Sequence, residues 1–226
     1  KKAAAYPEAE EIFHRAGENF EEVYTFLSKD ENPNRKKLLF SLALKDAKDL
    51  KASVLEDHLN CEQGDLPEEI FRKDLLCPRI FLEELTPYRS VIRGFFEEET
   101  KHSFAEQPER ILDYLKKNIT FHAEEEYDTI MATPVGVLTM KQGSPLAQKI
   151  LFVAICRSLN VAARLNPVTL EPEYYRDGEF HSVETEAAVL EEETESAVLA
   201  LNAEDGSVWK YYQTWTIGKW NGTVFE

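Results

Sequence analysis

The chain has 226 residues, 43% of them hydrophobic and 11% aromatic, with 9 glycines and 10 prolines. That composition excludes a disordered or low-complexity chain and allows one large domain or two small ones. Lys and Arg number 26 against 42 Asp and Glu, and the resulting formal charge of -16 repels phosphate backbones and anionic lipid, so no nucleic acid partner is expected. The longest apolar run, Ile150 to Cys156, falls well short of the roughly 18 to 20 residues of a membrane-spanning helix, so no span is expected either.

Taken in chain order, the first part reads as helices punctuated by proline. Pro7 opens a stretch with Ile12, Phe13, Ala16, Phe20, Val23, Phe26 and Leu27 at spacings of three and four, one apolar stripe on an amphipathic helix. Asn32-Pro33-Asn34 breaks it, and a second helical pattern follows through Leu38, Leu39, Leu42, Leu44, Leu50, Val54 and Leu55. Asp65 to Glu69 looks like a capped start for a short helix through Leu75. Pro78 and Pro87 bound two more, around Ile80 to Leu85 and Tyr88 to Phe96, and Pro108-Glu109 opens another.

From Phe121 the pattern changes, and the division expected is a helical region over 1–120 and a second region over 121–226. Thr133 to Gly136 reads as a loop and Val137 to Met140 as a short extended piece. Gly143-Ser144-Pro145 introduces a helix to about Leu159 that is apolar nearly all round and must be covered on most sides. Cys156 lies in it and reads as a buried free thiol, since three cysteines (Cys61, Cys77, Cys156) cannot all pair within one chain. Strand-like runs follow at Ala162 to Leu165, Glu179 to Thr185, Ala197 to Leu201 and Val208 to Ile217, with Asp205-Gly206 and Asn221-Gly222 as turns.

Between Arg176 and Lys210 there is no cation, and ten carboxylates there make the last third acidic. Solvated strand faces account for this first, and a cation site or basic partner is the alternative. In the run from Val208 to Ile217, Trp209, Tyr211, Trp215 and Ile217 share one face, which reads as the inside of a β-meander or, alternatively, as a sugar-stacking platform. Trp220, just past Gly218, is the better ligand candidate of the tryptophans because a turn exposes it. The five histidines are dispersed and no Cys-x-x-Cys occurs, so no metal and no cofactor is expected.

The run from Gly143 through Ser144-Pro145-Leu146-Ala147-Gln148-Lys149 and Leu151-Phe152-Val153-Ala154 to Arg157, then Asn160-Val161-Ala162-Ala163-Arg164-Leu165, resembles the core of bacterial transglutaminase-like proteins, a branch of the papain-like thiol-enzyme fold. A weaker likeness extends back through Pro134 to Leu138, Cys77 to Ile80 and Glu83 to Arg89. The resemblance implies an α+β fold in which a helical N-terminal region packs on a buried helix followed by an antiparallel sheet. It also implies a catalytic cysteine at the start of that helix, a histidine on a following strand and an aspartate on the next. By the family's intervals the cysteine position falls on Pro145, which has no nucleophile, and Cys156 lies about 16 Å further along the same helix.

Ser144 is adjacent, and Ser followed by Pro reads first as an N-cap and first helical residue, with a serine nucleophile as the alternative. His181 follows Pro145 at roughly the family's interval, but without its tryptophan context. Glu193 and Glu195 are poor substitutes for the aspartate. The reading is a degenerate, non-catalytic domain that binds a polypeptide or glycan in the inherited cleft. The rivals are a hydrolase or acyl transferase using Ser144 with His181, and a helical protein-interaction module. The cytoplasm is the expected compartment with export left open by a start at Lys1, and the natural chain is expected to continue past residue 226.

Overall fold

In the computed structural model, residues 2–121 and 132–183 are described. The long stripe opened by Pro7 is not one helix. A 3₁₀ turn over Pro7–Ala9 leads into α1 (Glu10–Ala16), Gly17 ends it at φ +56°, and a further 3₁₀ turn over Gly17–Asn19 leads into α2 (Phe20–Ser28). Glycine adopts that left-handed φ without a Cβ clash, so the same apolar stripe continues on two shorter rods. The second pattern likewise divides into α3 (Asn34–Leu39), a 3₁₀ turn over Leu44–Lys48 and α4 (Ala52–His58). A short α5 (Glu68–Ile70) runs into a π-helical turn over Phe71–Leu76.

Residues 80–85 are not helical. The Glu83 carboxylate accepts from the backbone N–H groups of Ile80 (2.8 Å) and Phe81 (2.8 Å), which folds the segment back on itself and takes the donors a helix would use. Beyond it come α6 (Tyr88–Phe95), α7 (Glu98–Glu106), which the periodicity does not mark, and α8 (Glu109–Asn118). A short parallel pair, β1 (Thr120–Phe121) with β2 (Gln142–Gly143), brackets α9 (Pro134–Met140). The loop and extended piece expected over 133–140 are therefore this helix: Thr133 Oγ1 accepts from Gly136 N at 3.1 Å as its cap, and Pro134 takes the first helical position.

The helix expected from Ser144 is α10 (Pro145–Ser158). Every residue of α10 from Ile150 to Ser158 is buried, so neighbours cover it all round. An antiparallel sheet follows in the order β3 (Ala163–Leu165), β4 (Pro172–Arg176), β5 (Glu179–Ser182), with Ala163 opposite Tyr174 and Tyr174 opposite His181. β4 escaped the sequence reading because its Pro172-Glu173-Tyr174-Tyr175 carries no clean alternation. The expected strands beyond residue 183 lie outside the described residues.

Two apolar cores result. One gathers α10, α6, α8, α9 and the inward residues Ala163, Leu165 and Tyr174; the other gathers α1 to α4 and the Phe71–Leu76 turn, with Ala162 and Tyr175 packed against it. Neighbouring strand residues thus serve opposite cores, as the period of two requires. The fold is α+β, helical in its N-terminal region. No helix among the described residues is long and apolar enough to cross a membrane.

Candidate functional site at the start of the buried helix

The sequence Gly143-Ser144-Pro145 turns a strand directly into a helix. A Cβ on Gly143 would sit 2.9 Å from Val137 Cγ1, so only glycine lets β2 pass this close to α9. Ser144 then adopts an extended conformation and its Oγ accepts from Ala147 N at 3.1 Å, satisfying one of the orphan donors of the first turn. Pro145 fills the first helical position, where its missing N–H costs nothing. Pro145 is half-buried and offers no nucleophile.

None of the three thiols lies at this helix start. Cys156 is fully buried and unpaired, and desolvation pushes its pKa far up. Cys77 is buried and unpaired, and Cys61, half-buried, is pushed up by burial as well. Cys156, held in the protonated form in an apolar surround, is inert.

His181 sits on β5, with its ring stacked on Tyr174 (5.3 Å between centroids, 20° between planes) and its Nε2 3.2 Å from the carbonyl of Arg176. Glu179 Oε1 stands 4.0 Å from that nitrogen; burial, and then the hydrogen bond its hydroxyl donates to Glu109, raise the pKa of Tyr174 to about 12. Ser144 and His181 are therefore each engaged with other partners, and among the described residues no hydrogen bond joins them. Trp215, Trp220, Glu193 and Glu195 lie outside the described residues. No group of three or more His, Cys, Asp or Glu able to hold a metal occurs among the described residues.

The opposite end of α10 carries a group the sequence reading passed over. Arg89, on α6 and fully buried, donates from Nη1 to the Arg157 carbonyl, from Nη2 to the Leu75 carbonyl and from Nε to His58 Nδ1 at 3.2 Å. One turn along α6, Arg93 Nε donates to the Ser158 carbonyl at 2.5 Å and its Nη2 to the Asn60 carbonyl at 2.6 Å. Two guanidinium groups thus satisfy the last carbonyls of α10 and oppose the negative end of its dipole. Asp57 completes the junction by accepting from the backbone N–H of Arg89 (2.8 Å) and Ser90 (3.1 Å) at the start of α6.

His58 is held as a neutral ring. Its Nε2 donates to the Thr86 carbonyl at 2.9 Å, leaving Nδ1 as the acceptor for Arg89, and burial followed by the Arg89 charge pushes its pKa down to about 3. Arg157 donates to the carbonyls of Ala163 (2.9 Å), Cys77 (2.7 Å) and Arg79 (2.9 Å). Arg164 pairs with Glu173 at 2.9 Å and lies over the Phe180 ring. Both head groups are consumed by the scaffold.

The helix, its capped start and the antiparallel sheet after it form the arrangement that the resemblance implies. No curated protein and no solved structure matches the chain. A family model described as the Transglutaminase-like superfamily matches residues 89–209, from Arg89 of α6 past α10 and the sheet. With more than half of its length inside that match, the chain belongs to the transglutaminase-like superfamily.

Proposed function

We propose that this is a non-catalytic member of the superfamily that binds a polypeptide or glycan in a cleft inherited from the family, with the helices before residue 120 supporting a core that runs from 121. The observation that supports the reading is the first turn of α10: the serine hydroxyl is spent on a backbone cap, and Pro145, on which the resemblance puts the nucleophile position, carries no thiol. Acyl transfer needs an activated nucleophile, a base and an oxyanion site together. A serine that already accepts from Ala147 N and a histidine turned to a carbonyl of its own hairpin supply neither of the first two in hydrogen-bonded form.

The test is an assay of the full chain against glutamine donors with amine acceptors and against a peptide panel, run beside a peptide and glycan binding screen. Turnover is expected at background, with a ligand whose contacts map to Met140 and the first turn of α10. Turnover abolished by Ser144→Ala and His181→Ala would replace this reading with the hydrolase or acyl transferase alternative.

A further inference from the structure

The 3₁₀ turn over Leu44–Lys48 sorts its side chains into rows, because residues three apart eclipse in a helix of three residues per turn. Leu44, Ala47 and, just past the turn, Leu50 make one row, and Ala47 and Leu50 are each 2% exposed in the core built on α1 to α4. Asp46, 3% exposed, belongs to the second row, and its Oδ1 accepts from Arg79 Nη2 at 2.6 Å. Asn19 Nδ2 donates to the carbonyls of Ala47 (3.0 Å) and Leu50 (2.8 Å), so the backbone of the turn is fixed as well. The third row, Lys45 and Lys48 with Lys51 beyond them, is left to solvent, and all three lysines are exposed.

This row lacks counterions. Lys2, Lys29, Lys36, Lys37 and Lys73 each pair with a glutamate. Lys45 and Lys48 have no hydrogen bond or ion pair among the described residues, and Lys51 stands 3.8 Å from Glu22. A cleft of about 750 Å³ opens beside the row, between the segment from Lys45 to Lys51 and the folded-back segment from Arg79 to Leu85. Lys45 and Lys51 line it and Lys48 does not, so the row follows its rim. Leu82, 61% exposed, and the half-buried Leu85 give the cleft an apolar wall. The cleft is remote from the first turn of α10: the Arg79 carbonyl is held by Arg157, twelve residues along the helix from Pro145, or about 18 Å at the α-helical rise.

We propose that the lysine row and this cleft dock an extended acidic segment of a partner protein, with carboxylates at alternate residues on the lysines and apolar side chains between them in the cleft. Lys45 and Lys48 are about 6 Å apart along the turn at the 3₁₀ rise, and same-side residues of an extended chain are about 6.6 Å apart, so the two spacings match. Successive side chains of an extended chain point to opposite sides, which lets one segment meet the row with one side and cover Leu82 and Leu85 with the other. A uniformly charged polymer such as nucleic acid fits less well, because Asp49 and Glu84 line the same cleft and the chain as a whole carries a charge of -16. The proposal does not rest on the reading of the first turn of α10.

The test is fluorescence anisotropy of the full chain with a labelled peptide of alternating Glu and Leu, about nine residues long, to match the row. A peptide of the same composition with its Glu and Leu in separate blocks, and a single-stranded oligonucleotide of equal charge, serve as controls. The alternating peptide is expected to bind about tenfold more tightly than either control, to weaken as salt is raised, and to shift the amides of Leu44 to Lys51 and Arg79 to Leu85. The double variant Lys45→Gln with Lys48→Gln should weaken that binding about tenfold while leaving the melting temperature unchanged, since both head groups are exposed and unpaired. The shift mapping on the unaltered chain decides the matter if that variant fails to fold. No binding of the alternating peptide, equal binding of either control, or shifts confined to the first turn of α10 overturns the proposal. The last of these outcomes would at the same time support the reading given above, so the two stand or fall separately.

Discussion

Replacing Arg89 by Met should destabilise the protein far more than a loss of one surface charge, and the structure sets the scale. The guanidinium satisfies the Arg157 and Leu75 carbonyls and His58 Nδ1 in a fully buried position. Replacing a buried ion pair by apolar residues is often neutral because both charges leave together. Here the partners are two backbone carbonyls and a neutral imidazole, which remain behind when the arginine goes. With hydrogen bonds to a charged group worth about 1.5 to 3 kcal/mol each, and some of this returned by no longer burying a cation, a net loss of about 3 to 5 kcal/mol is expected. At about 2 to 4 °C per kcal/mol for a chain of this size, the melting temperature should fall by about 6 to 20 °C. Urea unfolding followed by circular dichroism, compared with Arg93→Met as a less buried reference, measures it. A midpoint for Arg89→Met equal to or above that of the unaltered chain would refute the reasoning.

Acid should weaken the same junction. The folded-state pKa of His58, about 3, lies below its ordinary value near 6.5, so its contribution to stability is fully present above pH ~6.5 and is lost as pH falls toward ~3. The loss is on the order of 5 kcal/mol, and His58→Gln should flatten that part of the stability profile in pH-dependent urea melts. Cys156 should resist thiol reagents in the native chain and label only on unfolding, and Cys156→Ser should cost about 1 to 3 kcal/mol by burying a hydroxyl in an apolar surround. Ser144→Ala should lose about 1 kcal/mol in thermal melts, the value of a helix cap, and a melt unchanged by that substitution would count against the capping bond.

The sequence was most legible where local chemistry and burial agreed. Gly143-Ser144-Pro145 before an unbroken apolar run announces α10 within a residue of its observed end, because the cap, the first-position proline and the core requirement all lie within the segment. The same signal in Thr133-Pro134 reads as a loop, since the seven-residue helix behind it has only Val137 and Leu138 to mark a buried face. Periodicity merged α1 with α2 and α3 with α4, because an apolar stripe persists across a Gly17 that changes direction without changing which side is buried. The folding back at Ile80 to Glu83 depends on a carboxylate reaching backbone two and three residues away, which a helix-like spacing of apolar residues conceals. At the candidate site, Ser144 was recognisable as a cap from its neighbours alone. Arg89 was not, because its partners are main-chain carbonyls 14 and 68 residues distant, and a carbonyl has no sequence signature.

The Arg89 and Arg157 contacts also bear on where this protein can be cut. The family match begins at residue 89, yet Arg89 and Arg157 donate to carbonyls of Leu75, Cys77 and Arg79 as well as to ones inside the match, and Ala162 packs into the core built from the first 76 residues. A fragment starting at the family boundary would retain both guanidinium groups while discarding the Leu75, Cys77 and Arg79 carbonyls and His58, leaving each arginine one of its acceptors and exposing Ala162 and Tyr175 on what had been a covered side of the sheet. The evolutionary unit and the folding unit therefore have different edges, and expression trials that trim the chain should keep the residues from the first helix onward.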